Sequence, residues 1–327
     1  MAVYVGEAAP VGSDTLARLL PVNLSPATIR NTMMELAGLG LVEKPHASAG
    51  RVPTGQGLRV FVDELLDPME LVEYERRRLA DTVGDADAAS VIRVASQLLS
   101  DRTRQLGFVL SPRLDRLRLQ HVSLVRVSSE RILAVLISTA GVAHQRVIDD
   151  DRVADPAELD RIARALNERL QGRTLRELRA VLADESRNLR RRASRIVQRA
   201  LEIGERLFDV GEEPPAELVI DNRLALLEQP EFRDPERVRQ LFGAIEANEE
   251  LVTYLDKVLG DREVGVVFGE EVGEPGLRRC ALVTAPYGDG KAPLGRLGVL
   301  GPSRMDYGRI IPLVSYLSKL LTGRLAS

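Results

Sequence analysis

A multidomain α+β protein is predicted from three observations. The chain has 327 residues, more than one hydrophobic core usually organises. Its apolar content of 44% and charged content of 28% are those of a folded globular protein rather than a disordered one. Helical and strand-like patterns alternate in blocks, and the return of strands after a long helical block implies that one unit is inserted into another.

The first block, residues 1–66, reads as three short helical stretches and a hairpin. Ser13 is placed to cap a helix through DTLARLL, Pro21-Val22-Asn23 makes a turn, and Ser25 caps a second helix that opens with Pro26 and is ended by Gly40. Ile29, Met33, Leu36 and Ala37 share one face of that helix and are expected to pack on Leu16 and Leu19. Ala27, Thr28, Arg30, Asn31 and Met34 then lie on the other side. A short helix, a tight turn and a second helix with small and polar side chains near its N-terminus suit entry into a major groove. Asn31 matches the hydrogen-bonding edge of adenine and Arg30 that of guanine.

The segments LVEKPH and RVPT flank Ala47-Ser48-Ala49-Gly50 and predict a β-hairpin, or wing, after that helix. Lys44, Arg51 and Arg59 give its neighbourhood a local positive charge, although residues 1–66 together hold 5 basic and 6 acidic side chains. Lys44 and Arg51 can grip phosphates, His46 can donate to one, and Ser48 with the Gly50 backbone can approach the sugar-phosphate chain. Each of these residues also fits an ordinary solvated hairpin; their combination with the two helices favours a DNA reader.

Pro68 marks the edge of this block. Met69–Thr82 and Ala88–Ser100 read as helices, and residues 105–149 as an antiparallel meander of four strands, GFVL, HVSLVRV, RILAVLI and GVAHQRVI. Asp155 caps a helical block over residues 156–208 that pauses at Gln171-Gly172, GEEPPAE (residues 211–217) is a loop, and a further helix follows Asp234-Pro235. Strands resume in EVGVVFG, LRRCALVTAP and LGRLGVLG. The last helix carries Ile310, Val314, Leu317 and Leu321 on one stripe.

Several functions lose support at once. Cys280 is the single cysteine, so an internal disulfide is excluded and a Cys-rich metal site has no ligands. His46, His121 and His144 form no ligand pair, and no nucleophile and base share a defined frame, so neither an enzyme nor a cofactor is expected. GDGKAPLG lacks the order of a phosphate-binding loop and reads as a hairpin turn. Arg187, Arg190, Arg191, Arg192, Arg195, Arg199 and Arg206 crowd one helix, but an apolar seam runs between them, which favours assembly or a solvated face over nucleic acid. With a net charge of −3, any DNA site must be local. No apolar run is long enough for a membrane span and the first residues lack a signal-peptide pattern, so a cytoplasmic protein with no membrane partner is expected.

The stretch LSPATIRNTMMELAGLGLVEKPHASAGRVPTGQGLRVFVD, together with GPSRMDYGRIIPLVSYLSKLL near the C-terminus, resembles the heat-inducible transcription repressor HrcA family. That resemblance implies a winged helix-turn-helix over residues 1–67 with a shortened first helix. It further implies a GAF-like antiparallel sheet domain from 68–150 and 256–327, and an inserted, mainly helical dimerisation domain over 151–255. It implies a homodimer that represses chaperone genes at an inverted-repeat operator on double-stranded DNA, loses repression on heat stress, and is helped to fold by a GroEL-type chaperonin. The residues expected at DNA contact are Ser25, Ala27, Thr28, Arg30, Asn31, Lys44, His46, Ser48, Gly50 and Arg51. The competing reading is a ligand-sensing GAF-like or protein-interaction module that does not bind DNA.

Overall fold

The computed structural model describes residues 1–46, 49–87, 90–112, 116–150, 155–170, 172–175, 177–178, 180–181, 184, 195–208, 218–222, 224–246, 263–289 and 292–325. The N-terminal unit contains α1 (Ala2–Glu7), α2 (Ser13–Leu19), α3 (Pro26–Gly38), a hairpin of β1 (Val42–Glu43) and β2 (Val52–Pro53), and α4 (Gly55–Val60). α4 runs directly into a π-helical turn, Phe61–Leu65. Ser13 is the first residue inside α2 rather than its cap. Gly12 takes the capping position in an extended conformation and offers no side chain to the helix.

The middle and end of the chain form two further bodies, each around its own core. The larger is a five-stranded antiparallel sheet in the order β7-β3-β10-β9-β8, built from β3 (Leu106–Leu110), β7 (Leu218–Val219), β8 (Gly265–Phe268), β9 (Cys280–Asp289) and β10 (Ala292–Pro302). β3 is buried along its whole length, as a central strand covered on both faces should be. α5 (Glu73–Asp85), α6 (Val91–Thr103) and α12 (Tyr307–Leu325) cover one face. On α12, Ile310, Val314, Leu317 and Leu321 are all buried, as their spacing predicts. The opposite face packs on α9 (Leu224–Leu227), a 3-10 turn at Pro230–Phe232 and α10 (Pro235–Glu246). A short α11 (Gly269–Val272) follows β8.

The smaller body is a three-stranded sheet, β4 (Leu119–Arg126), β5 (Arg131–Ser138) and β6 (Ala143–Asp149), with α7 (Pro156–Leu170) and α8 (Arg195–Phe208) against it. Ile132, Ala134 and Leu136 of β5 are buried with Leu159, Ile162 and Leu166 of α7 in one apolar cluster. Asn167 fixes the join, because its side-chain amide accepts from the Val122 N–H at 2.8 Å and donates to the Val122 carbonyl at 2.9 Å. Asp155 caps α7 through the Glu158 N–H, as expected.

One sequence expectation is corrected here. GFVL is not the first strand of the meander. It lies in β3, which pairs with β10 and β7, so the meander has three strands. Residues 119–149 share a core with the helices after them, whereas 218–246 pack with the five-stranded sheet. The inward face of β4–β6 meets α7 and α8, and among the described residues these three strands form a sheet of their own.

In the arginine-rich helix, Arg199 pairs with Asp150 and Glu202, and Arg206 with Asp150, whose side chain is 1% exposed. These two guanidinium groups hold α8 to the end of β6 rather than facing a polyanion. Arg187, Arg190, Arg191, Arg192, the segment 211–217, Gly290 and Lys291 lie outside the described residues. Within GDGKAPLG, Asp289 of β9 pairs antiparallel with Ala292 of β10, so the described residues that follow form a strand rather than a helix. No helix among the described residues is long and apolar enough to cross a membrane.

Candidate nucleic-acid interface

Residue chemistry launches α3 and turns it outward. Ser25 is extended (φ −68°, ψ 147°), and its hydroxyl accepts from the Thr28 N–H at 3.1 Å, with Pro26 at the first helical position. Such a cap contributes about 1 kcal/mol to a helix start. At the far end Gly40 adopts φ +73°, its N–H donates to the Ala37 carbonyl, and the Leu41 N–H donates to Leu36. This left-handed closure favours glycine and fixes where the chain leaves for the hairpin. Thr54 then ties three pieces together, its hydroxyl donating to Gly40 O at 2.6 Å and accepting from Gly57 N at 3.1 Å.

Ile29 is the one buried side chain of α3; Met33, Leu36 and Ala37 are half-buried with it. Leu16 supports them, but Leu19 does not join this packing and is 58% exposed, because α2 ends there and the chain turns away. Ser25, Ala27, Thr28, Arg30 and Asn31 are all exposed on the opposite side. The side chains of Arg30 and Asn31 make no hydrogen bond or ion pair to described residues, so their donors and acceptors are open to solvent, while the Ser25 and Thr28 hydroxyls bond each other at 2.9 Å. Thr32 and Met34 share this surface, Met34 at 52% exposure.

The hairpin stands beside it. Val42 pairs with Pro53 and Glu43 with Val52. Lys44 and His46 are exposed and Arg51 is half-buried, while Ser48 lies outside the described residues. Arg51 also exchanges both backbone hydrogen bonds with Val11 at 2.9 Å, which adds a third strand position to the hairpin.

Gly50 packs closely on the preceding loop. A Cβ there would sit 2.4 Å from the carbonyl carbon and oxygen of Val11, so the absence of a side chain serves packing within the protein. Gly50→Ala is expected to break the Val11–Arg51 bridge and cost roughly 1–3 kcal/mol, the usual range for overpacking. Urea denaturation measures it, and a cost near zero would contradict this role.

Arg59 departs from the expected basic surface. Its guanidinium faces α11, pairing with both carboxylate oxygens of Glu271 (2.6 and 2.7 Å), donating to Val266 O at 3.0 Å and lying 4.7 Å from the Phe268 ring centre. Arg304 makes a second tie: it donates to Val5 O of α1 at 3.0 Å while paired with Glu231 and bonded to Gln229. Leu58 is buried in the core of the five-stranded body between these ties. Among the described residues the N-terminal unit is thus anchored by Leu58, by the partly buried Met1, Val62 and Leu66 packed on the same core, and by two arginines. Sequence reading missed Arg304 and Glu271, since their partners are hundreds of positions away and no local pattern marks them.

Of the histidines, His46 and His121 are exposed, and burial holds the half-buried His144 below its ordinary pKa. Burial pushes the Cys280 thiol up to about 12, so it stays protonated and inert at neutral pH.

Comparison with known proteins adds independent findings. Residues 89–311 match the family model described as HrcA protein C terminal domain. The chain is 36% identical over 322 residues to the heat-inducible transcription repressor HrcA of Geobacter sulfurreducens, covering 98% of this chain and 93% of the relative. It is 37% identical over 325 residues to the protein of the same name from Nitratidesulfovibrio vulgaris, covering 98% and 91%. Among solved structures, a hypothetical protein determined at 2.2 Å shares the fold, with a TM-score of 0.61, 22% identity and coverage of 99% and 95%.

Proposed function

Because the chain belongs to the heat-inducible transcription repressor HrcA family, and is a transcription repressor rather than an enzyme, we propose that it represses by seating α3 in the major groove of operator DNA. In this reading the N-terminal unit is a winged helix-turn-helix. Asn31 and Arg30 read base edges, Ala27 and Thr28 allow close approach, and Ser25 sets the start of the helix at the groove. Lys44, His46 and Arg51 contact phosphates beside the hairpin. The observation that carries the proposal is the exposed N-terminal half of α3, where Arg30 and Asn31 have no partner among the described residues, next to that hairpin.

The operator is an inverted repeat and the repressor a homodimer. One chain carries one reader, so a symmetric site demands two copies, with half-sites a whole number of turns apart at about 34 Å per turn. The outward face of β4–β6 suits self-association. Val125, Leu133 and Val147 form one cross-strand row, Ser123, Val135 and Gln145 the next, and none is charged. Val125 and Val147 are 49% and 56% exposed. The five-stranded body is GAF-like in this scheme, and assisted folding by a GroEL-type chaperonin is part of the proposal through family membership. Selection of bound duplexes from a random pool, followed by anisotropy titration, tests the scheme. An inverted repeat bound at least a hundredfold more tightly than either half is expected; equal affinity for the half-site would reject it.

Heat acts by loosening the anchored reader. Arg59→Ala removes one of its two polar ties and is expected to cost about 1 kcal/mol. Operator release should therefore move down by roughly 2–4 °C. An unchanged release temperature would show that the tie does not govern it.

A further inference from the structure

A cleft on the five-stranded body, on the side of the sheet covered by α10, has a cavity volume of about 260 Å³. Arg237 of α10 and Arg278 and Arg279 before β9 line it, with Gln240 and Glu231. All three arginines are exposed, and their guanidinium groups make no hydrogen bond or ion pair to described residues. The acid on the rim does not neutralise them, since both oxygens of Glu231 are engaged by Arg304. Three like charges therefore share one concavity. Each repels the others, and the field focused in the concavity favours an anion.

Local structure fixes the backbone from which these groups project. Arg279 has φ +64°, a left-handed conformation that a non-glycine residue adopts at a cost of on the order of 1 kcal/mol or more. Its carbonyl accepts from Ser303 N at 2.8 Å, which pins the turn on which Arg278 and Arg279 sit. Arg237 approaches from α10, which is packed so tightly on the turn at Pro275–Leu277 that a Cβ on Gly276 would lie 2.3 Å from Gln240 O. The wall bearing Arg237 and the wall bearing Arg278 and Arg279 are thus rigidly joined.

We propose that Arg237, Arg278 and Arg279 form a phosphate-binding cleft, separate from α3 and the hairpin, which takes a phosphate or diphosphate group. Guanidinium groups match phosphate oxygens in geometry as well as charge, and the volume suits a group of that size rather than a drug-sized ligand. The group arrives either on a small molecule or on a duplex backbone passing the body, and the two sources separate experimentally.

The probe is inorganic pyrophosphate, titrated calorimetrically into the full chain at low ionic strength. Arg279→Gly removes a guanidinium while suiting the left-handed backbone, and Arg237→Gln changes an exposed helix position; unchanged thermal melts confirm that both fold. One saturable site in the native protein, weakened at least tenfold in each variant, is the expected result. A small-molecule source leaves the salt dependence of DNA binding as in the native protein. A duplex source lowers its log–log slope by about 0.9 for each phosphate the variant no longer neutralises. Absence of saturable binding together with an unchanged slope would overturn the proposal, as would pyrophosphate binding that both variants retain in full. The pyrophosphate arm does not depend on how α3 meets its operator, so the two readings fail separately.

Discussion

Asn31→Ala is expected to remove on the order of 1–3 kcal/mol of discrimination at one position of each operator half-site, while leaving binding to unrelated duplexes nearly as it was. Asn31 is exposed in the second turn of α3, and its amide has no partner among described residues, so both its donor and its acceptor are available to a base edge. Ile29, buried two residues earlier, fixes the rotation of the helix, so the substitution should leave the fold intact. Arg51→Ala supplies the contrast. A phosphate contact carries no sequence information, so this variant should weaken all duplexes alike and flatten the salt dependence by about one unit of log–log slope. Competition titrations against operators changed one base pair at a time measure both. An equal loss on every sequence for Asn31→Ala would show that it positions the helix and reads nothing.

Val147→Asp is expected to yield a monomer and lower affinity for the inverted repeat by at least a hundredfold. Val147 lies opposite Leu133 on the outward face of β4–β6 and is 56% exposed, so a carboxylate there stays hydrated in the isolated chain. In a two-fold assembly through that face it is buried against apolar neighbours, at a cost of several kcal/mol per charge, and the assembly contains two. Sedimentation equilibrium would report the change in mass and anisotropy the loss of binding. A variant that still sediments as a dimer would place the assembly surface elsewhere.

How legible these features were depended on the sequence distance over which they are determined. α3 was readable because its cap, its first proline, the buried Ile29 and the closing Gly40 all act within a few residues of one another. The three strands β4–β6 were readable for the same reason: each pairs with the next. The unit to which they belong was not, because β3 and β4 are both apolar strands and only long-range pairing sends them to different sheets. Gly50 looked like a turn residue, yet its need for a missing side chain is set by Val11 in a preceding loop. Arg59 looked like part of a basic patch until Glu271, 212 positions away, claimed its guanidinium. Local charge counts cannot distinguish an arginine facing solvent from one folded onto another domain.

The most direct measurement exploits the inertness of the native thiol. Cys280 is 2% exposed with its pKa pushed up to about 12, so in the Ala27→Cys variant a charged alkylating reagent at neutral pH reports on the first turn of α3. If that turn lies in the groove, saturating inverted-repeat duplex should slow alkylation at least tenfold, whereas a cysteine placed at the exposed Arg239 of α10 should react at its free rate. Full reactivity at position 27 in the saturated complex would contradict the account, because the helix it assigns to the bases would then still be facing water.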